Sequence, residues 1–316
     1  MAAPTLTAPS GTPERTPTRT RRARRPRPPW GRIAGWTVLV LILLLTLFPF
    51  YWMLRTALSN GTSLGTDPTS LLPVDFTWGG FARVLGLATT EQAQAEGGSG
   101  SSINFWGYLG NSVIVATVRT AGQVFFGALA AYAFARMRWP GRDAVFFLFL
   151  TALMIPPIFV QLPNFLLLRD TGLLNTYAGI VAPEVLMTPF AIFFLRQFFL
   201  GIPFELEEAA RLDGAGRLRT FFRIIVPMSW APITTLALLQ YVQAWNDYFW
   251  PLLAGSDESV RTLTVALGIF RAQTPQGQPD WPGLMAATLI AAVPMILLFL
   301  AFGRKIVNSI GFSGIK

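Results

Sequence analysis

The chain has 316 residues, 52% of them hydrophobic and 13% charged, with a formal net charge of +9 and neither cysteine nor histidine. A soluble domain carries about 25% charged residues, so the apolar excess points to a bilayer. Disulfides, zinc or haem ligation through Cys or His, thiol nucleophiles and Ser-His-Asp chemistry are excluded, and neither Lys305 nor Lys316 lies in the G-x-x-x-x-G-K-[ST] string that a P-loop needs to hold ATP.

Residues 1–32 predict a disordered cytoplasmic tail. Arg15, Arg19, Arg21, Arg22, Arg24, Arg25, Arg27 and Arg32 alternate there with Pro and Thr, a composition that cannot bury enough apolar surface to fold. Arginine beside a span sets its orientation, so the tail reads as a topology anchor in preference to a nucleic-acid arm.

Six spans follow over residues 33–308, at about 20 apolar residues per crossing. The first, "WTVLVLILLLTLFPFYWML" (36–54), ends in aromatics without a small-residue cleavage site and predicts an uncleaved anchor. An external loop (56–108) carries "EGGSGSS", which reads as a flexible linker. The second span (109–135) opens on Asn111-Ser112. Pro156, Pro157 and Pro163 interrupt the third (144–168), and Pro183 and Pro189 lie in the fourth (177–200). A cytoplasmic loop (201–224) precedes the fifth span (225–250). "SVRTLTVALGIF", in the external loop 252–282, predicts a short interfacial helix. The sixth span (283–302) contains Pro294, and residues 309–316 form a cytoplasmic tail. Arg136, Arg138 and Arg142, then Arg196 with the 211–223 set, then Arg304 and Lys305, mark alternate connections as cytoplasmic. Both termini therefore face the cytoplasm.

The loop string "ELEEAARLDGAGRLRTFFRIIVP" (205–227) predicts a helix-turn-helix. Pro203 suits a first helical position, and Glu205, Glu207 and Glu208 lie near the positive end of the helix dipole. Leu206, Ala209, Ala210 and Asp213 share i, i+3, i+4, i+7 spacing, which places both alanines on one close-contact face. Gly214 and Gly216 break the helix, and a second helix is predicted over 217–223. Patterning alone allows a solvated amphipathic loop.

The string itself resembles the EAA loop of binding-protein-dependent ABC importer permeases: E-A-A, three residues, G, then an I-x-x-P-like end. Here these are Glu208-Ala209-Ala210, Gly214, and Ile224/Ile225 with Pro227. "NSVIVA" (111–116), "AAYAFARMRWPGR" (130–142), "MIPP" (154–157), "PFAIFFLRQFF" (189–199), "WNDYFWPLL" (245–253) and "RTLTVAL" (261–267) extend the likeness to the carbohydrate-uptake branch, of the maltose-type G permease kind. The resemblance implies an all-α integral membrane protein with the six-helix type I importer permease fold and cytoplasmic coupling helices. It implies ATPase coupling through Glu205, Glu208, Ala209, Ala210, Asp213, Gly214, Ala215 and Arg217. It also implies a second homologous permease, two ATP-binding cassette subunits, an extracytoplasmic solute-binding protein, and ATP with Mg held on the partner ATPase. The chain itself would catalyse nothing and bind no metal or cofactor. Its tail "NSIGFSGIK" (308–316) is similar to the family's small-residue terminus.

Ionisable residues inside spans are costly and mark function by default. Arg119 and Glu184 depart from the family pattern, and at 1.5 Å per residue both are expected roughly 10–12 Å below the outer surface. They either pair inside the bundle, snorkel separately, or meet the partner permease. Gln240, Gln243, Trp245, Asn246 and Tyr248 suit a sugar path, with polar interhelical contacts and an aromatic belt at Trp250 as the alternative. Gln161 and Asn164 beside the broken third span read as pathway lining or as parts of a static kink. An ion-coupled carrier acting without ATPases is the rival class, with Glu184 as its deep carboxylate.

Overall fold

In the computed structural model, which describes residues 30–98, 104–272 and 280–311, every regular element is helical. The chain divides after Phe48 into two units. The first holds most of α1 (Trp30–Ala57), whose leucines and valines from residue 33 to residue 48 are exposed, as the wall of a membrane helix is in the absence of lipid. The predicted tail over residues 1–29 lies outside the described residues, and residues 30–32 are helical.

The second unit begins at Pro49, within α1. The segment expected to be an external loop is folded. α2 (Gly79–Val84) and α3 (Thr90–Ala95) are joined by a capping box at Thr89 and Gln92. The buried Arg83 grips Asp280 through two bonds of 3.0 Å and Glu96 through a third of 3.0 Å. Glu96 also accepts from the Thr77 hydroxyl at 2.9 Å. The expected linker is therefore anchored at its first residue; residues 99–103 lie outside the described set.

α4 (Phe105–Arg136) is the longest helix, 32 residues without a proline. The third span is two helices, α5 (Arg142–Ala152) and α6 (Ile158–Asp170). Leu153, Met154 and Ile155 donate to carbonyls three residues back, tightening the end of α5. Pro156 and Pro157 supply no N–H to continue it. The fourth span is likewise divided, into α7 (Tyr177–Val181) and α8 (Pro189–Leu200). α8 restarts by the book of helix chemistry: Thr188 accepts the Ala191 N–H at 3.2 Å and Pro189 fills the first turn.

α9 (Glu205–Leu212) turns 81° from α8. α10 (Arg217–Thr220) runs into a π-helix, Phe221–Ile225, and α11 (Val226–Met228). Pro227 cannot donate to the Arg223 carbonyl, which gives the π-turn its local cause. The chain then bends 80° into α12 (Trp230–Asn246), so the fifth span starts after Pro227 rather than before it.

α13 (Phe249–Ala254) and α14 (Leu263–Ala272) follow, then α15 (Trp281–Gly311). α14 is the segment expected at the interface. It is packed into the bundle instead, with Leu263, Val265, Ala266 and Phe270 buried. Between α13 and α14 Asp257 accepts the Ser259 hydroxyl at 2.6 Å and its N–H at 2.9 Å, and those bonds hold its carboxyl below the usual range.

The two largest cores sit on α4. One gathers Phe105, Tyr108, Trp245, Leu263 and Ala287 toward its N-terminal half; the other joins Tyr132, Leu195, Phe199, Phe221 and Ile225 at its C-terminal half. Contact is close enough that glycine is needed at several places, Gly122 among them. A Cβ on Gly122 would lie 2.2 Å from the Val185 carbonyl oxygen, in the non-helical break of the fourth span. Gly122→Val should therefore destabilise the chain by about 1–3 kcal/mol, the range of overpacking. Thermal unfolding in detergent measures it, with Gly110→Ala, at an uncrowded glycine, as the control.

Candidate functional site

Three polar constellations are built on α4. Toward its N-terminus Asn111 donates to the Ser259 and Arg261 carbonyls at 3.1 and 2.9 Å and accepts the Tyr177 hydroxyl at 2.7 Å. Ser112 accepts the Leu263 N–H at 2.8 Å. These bonds tie α7 and the start of α14 to one turn of α4.

The second constellation is a charge cluster. Arg119 follows Phe105 by fourteen residues and precedes Arg136 by seventeen, near the middle of the helix. At about 1.5 Å per residue that is roughly 21 Å from one end and 26 Å from the other. It is deeper than the sequence suggests, because α4 begins six residues before Asn111. The guanidinium contacts the Glu184 carboxylate in the break of the fourth span and the Asp247 carboxylate, at 2.8 Å, just past the end of α12. Asp247 is the member that sequence reasoning missed; its string "WNDY" points to a helix end, but only the fold brings that end to Arg119. The Arg119 and Asp247 side chains are 5% and 19% exposed, whereas Glu184 is 40% exposed. One cation thus faces two carboxylates, and the negative excess opens toward the accessible Glu184.

The path residues expected in the fifth span separate into two sets. Gln240 is buried and donates to Thr188 at 3.1 Å, and Trp245 is buried in the core against Tyr241. Both serve packing here and do not line an open surface. Gln243, Asn246 and Tyr248 are exposed, with Asn246 donating back to the Val242 carbonyl at 2.8 Å. Trp250, expected in an aromatic belt, is buried and donates to the Ile180 carbonyl at 2.9 Å. Gln161 and Asn164 lie half-buried on α6, and the Gln161 Oε1 is buried with no hydrogen-bond partner among the described residues.

The third constellation is cytoplasmic in the sequence reading: α9, its turn and α10. α9 ends in a Schellman turn, with Ala215 N–H on the Ala210 carbonyl at 2.8 Å and Gly214 N–H on the Arg211 carbonyl at 3.0 Å. Gly214 sits at φ +78°, where a side chain is strained. Gly216 has ordinary dihedrals and caps α10.

The two alanines divide between faces. Ala210 is buried with Glu207, three residues before it, while Glu205, Glu208, Ala209, Leu212 and Asp213 face outward. Ala209 and Ala210 are successive residues about 100° apart on a helix, so one can dock outward only when the other packs inward. The exposed surface also includes Arg217, together with Leu212 (90%), Leu218 (66%) and Phe222, apolar positions that were not singled out from the string. The terminal string 308–316 has no described side chains.

Helices broken within their spans, charge held at mid-helix, and a turned amphipathic element at one end define a multi-pass membrane transport protein. Residues 123–311 match the family described as Binding-protein-dependent transport system inner membrane component, and the chain belongs to that family. The arabinooligosaccharides transport system permease protein AraQ of Halalkalibacterium halodurans is 34% identical over 212 residues, 67% of this chain and 75% of its own. The trehalose/maltose transport system permease protein MalG of Thermococcus litoralis is 31% identical over 278 residues, covering 88% and 94%. A chain of a bacterial ABC transporter involved in the import of the polysaccharide alginate shares the fold, with a TM-score of 0.73 at 23% identity over 92% of this chain and 99% of that one.

The charge cluster carries a stability prediction. Removing Arg119 leaves two carboxylates facing each other; breaking a fully buried pair costs about 3–5 kcal/mol, and screening at the 40%-exposed Glu184 lowers that cost here. Arg119→Leu should lower the unfolding midpoint in detergent far more than Glu184→Gln. The double change Glu184→Gln/Asp247→Asn should recover part of the Arg119→Leu loss.

Proposed function

We infer that the chain is the permease subunit of an ATP-driven importer for a sugar or oligosaccharide, with both termini in the cytoplasm. It works beside a second permease, two ATPase subunits carrying ATP and Mg, and an external solute-binding protein. The observation that carries this reading is the α9–α10 element: a stiffly capped helix, turned 81° from its span, with acids and bare leucines facing away from the bundle. A chain without a P-loop that belongs to a transport family must receive its drive through such a surface. Glu205, Glu208, Ala209, Asp213, Ala215 and Arg217 form its outward face or rim and Gly214 its bend; Ala210 supports it from behind.

The sugar class is supported by the printed specificities of AraQ and MalG. Solute would pass along Gln243, Asn246 and Tyr248 and the broken spans, with Glu184 facing the path. An ion-coupled carrier needs a carboxylate free to take up its ion, and Glu184 is engaged by Arg119.

The test is co-expression with candidate ATPase and permease partners. An ATPase should co-purify with the chain, and proteoliposomes supplied with binding protein and ATP should take up maltose, trehalose or arabino-oligosaccharide. Gly214→Pro, which cannot reach φ +78°, should abolish ATPase retention and uptake together. Uptake by the chain alone on an ion gradient would overturn the reading.

A further inference from the structure

One buried cation at the C-terminal end of α4 touches two other elements. The Arg136 guanidinium bonds the Phe199 and Ile202 carbonyls at the end of α8, stacks 5.4 Å from the Phe204 ring, and lies with Nε 3.2 Å from Glu207 Oε1 in α9. Tyr132, one turn earlier on α4, reaches the other Glu207 oxygen at 3.5 Å. Glu207 is fully buried, and its side chain and that of Arg136 are 1% and 4% exposed.

Two parts of this arrangement differ in quality. The carbonyl contacts satisfy groups that every helix end leaves open, and a cation there also suits the negative end of the α8 dipole. The Arg136–Glu207 contact is close but unaligned: neither Nε nor Oε1 makes a hydrogen bond among the described residues. A buried ion pair that lacks full hydrogen bonding adds little stability. What it does add is a charge link, in a water-poor setting, between a membrane helix and the inward face of α9. Apolar contact could hold Ala210 equally well; it could not resist sliding of α9 along α4 as a paired charge does.

We propose that Arg136 and Glu207 are positioning residues that lock α9 to the ends of α4 and α8, so that a push on the outward face of α9 moves all three as one body. The proposal rests on the reading that α9 docks an ATPase. Glu207 thereby has a role opposite to its neighbours Glu205 and Glu208, which face the partner.

The chain has no native cysteine, so spin labels on introduced cysteines at Arg138, two residues past α4, and at Leu206 on α9, both exposed, report the α4–α9 distance. The measurement is made on the assembled complex, in ADP and in ATP with vanadate. With the native pair, one narrow distance distribution should persist in both states. Glu207→Gln removes the charge link while leaving Arg136 on the Phe199 and Ile202 carbonyls. It should leave the ATPase bound yet at least double the width of the distribution in ATP–vanadate. Glu207→Asp, which restores the carboxylate, should narrow it again.

An unchanged distribution in the assembled Glu207→Gln variant overturns the proposal. If that variant does not assemble, assembly restored by Glu207→Asp supports the proposal, and failure of both overturns it. Failure of the ATPase to co-purify with the unaltered chain would instead defeat the docking reading.

Discussion

A peptide group that leaves a helix inside a bilayer has no water to bond, so the protein must supply its partner. That constraint governs this chain, because its third and fourth spans break in mid-course and its fifth ends at Asn246, short of the following α13. α4 provides much of the remedy. Asn111 and Ser112 bond the backbone between α13 and α14, Arg119 holds the side chains at two breaks, and Arg136 bonds the open carbonyls of α8. An unbroken helix can do this since its own backbone is already satisfied. The polar side chains of α4 are thus answers to defects elsewhere in the sequence, and the prolines of the other spans explain why α4 carries them.

The same arrangement separates rigid from yielding parts. α4, α8 and α12 share a tightly packed core in which Leu195, Phe199 and Leu236 are wholly buried. α5, α6 and the break between them expose Phe147, Met154, Phe159 and Leu162, and Gln161 keeps a polar atom with no partner among the described residues. Few buried contacts beside a proline break mark the segment that opens at least cost. Alternating access needs such an asymmetry: a body that moves intact, and a neighbour that yields.

Much of this was legible in the sequence, for reasons that are local. The long apolar helices α1, α4 and α15, the prolines that divide other segments, and the glycine bend at Gly214 follow from hydropathy, a missing N–H and a positive φ. Arg119 and Glu184 announced themselves as charges in apolar strings, and the structure places them in contact. What stayed hidden depends on register between distant segments. Nothing in "WNDY" says that Asp247 meets Arg119, and nothing in "AFARM" says that Arg136 turns inward when Arg138 two residues later does not. The alanine pair failed for a related reason. Helical spacing groups residues into faces but does not say which face the bundle takes. Trp245 and Trp250 show the same limit, since an aromatic near a span end fits an interface or a core equally well until its neighbours are known.

Three glutamates within four residues illustrate how function is layered on this scaffold. All three favour the start of α9 through its dipole, so the string reads as one acidic cap. The helical turn then sends Glu207 to Arg136 and leaves Glu205 and Glu208 outside with Leu212. An exposed carboxylate beside an exposed leucine can dock at modest desolvation cost, because the leucine contributes apolar area and the acid steers the encounter. A buried carboxylate in the same turn keeps that face from rolling when it is loaded. Moving the sequence by one residue would exchange these duties, turning Glu208 to the bundle and Ala210 to the partner. The spacing of the loop is therefore under two constraints at once, one from the surface that it presents and one from the cation beneath it.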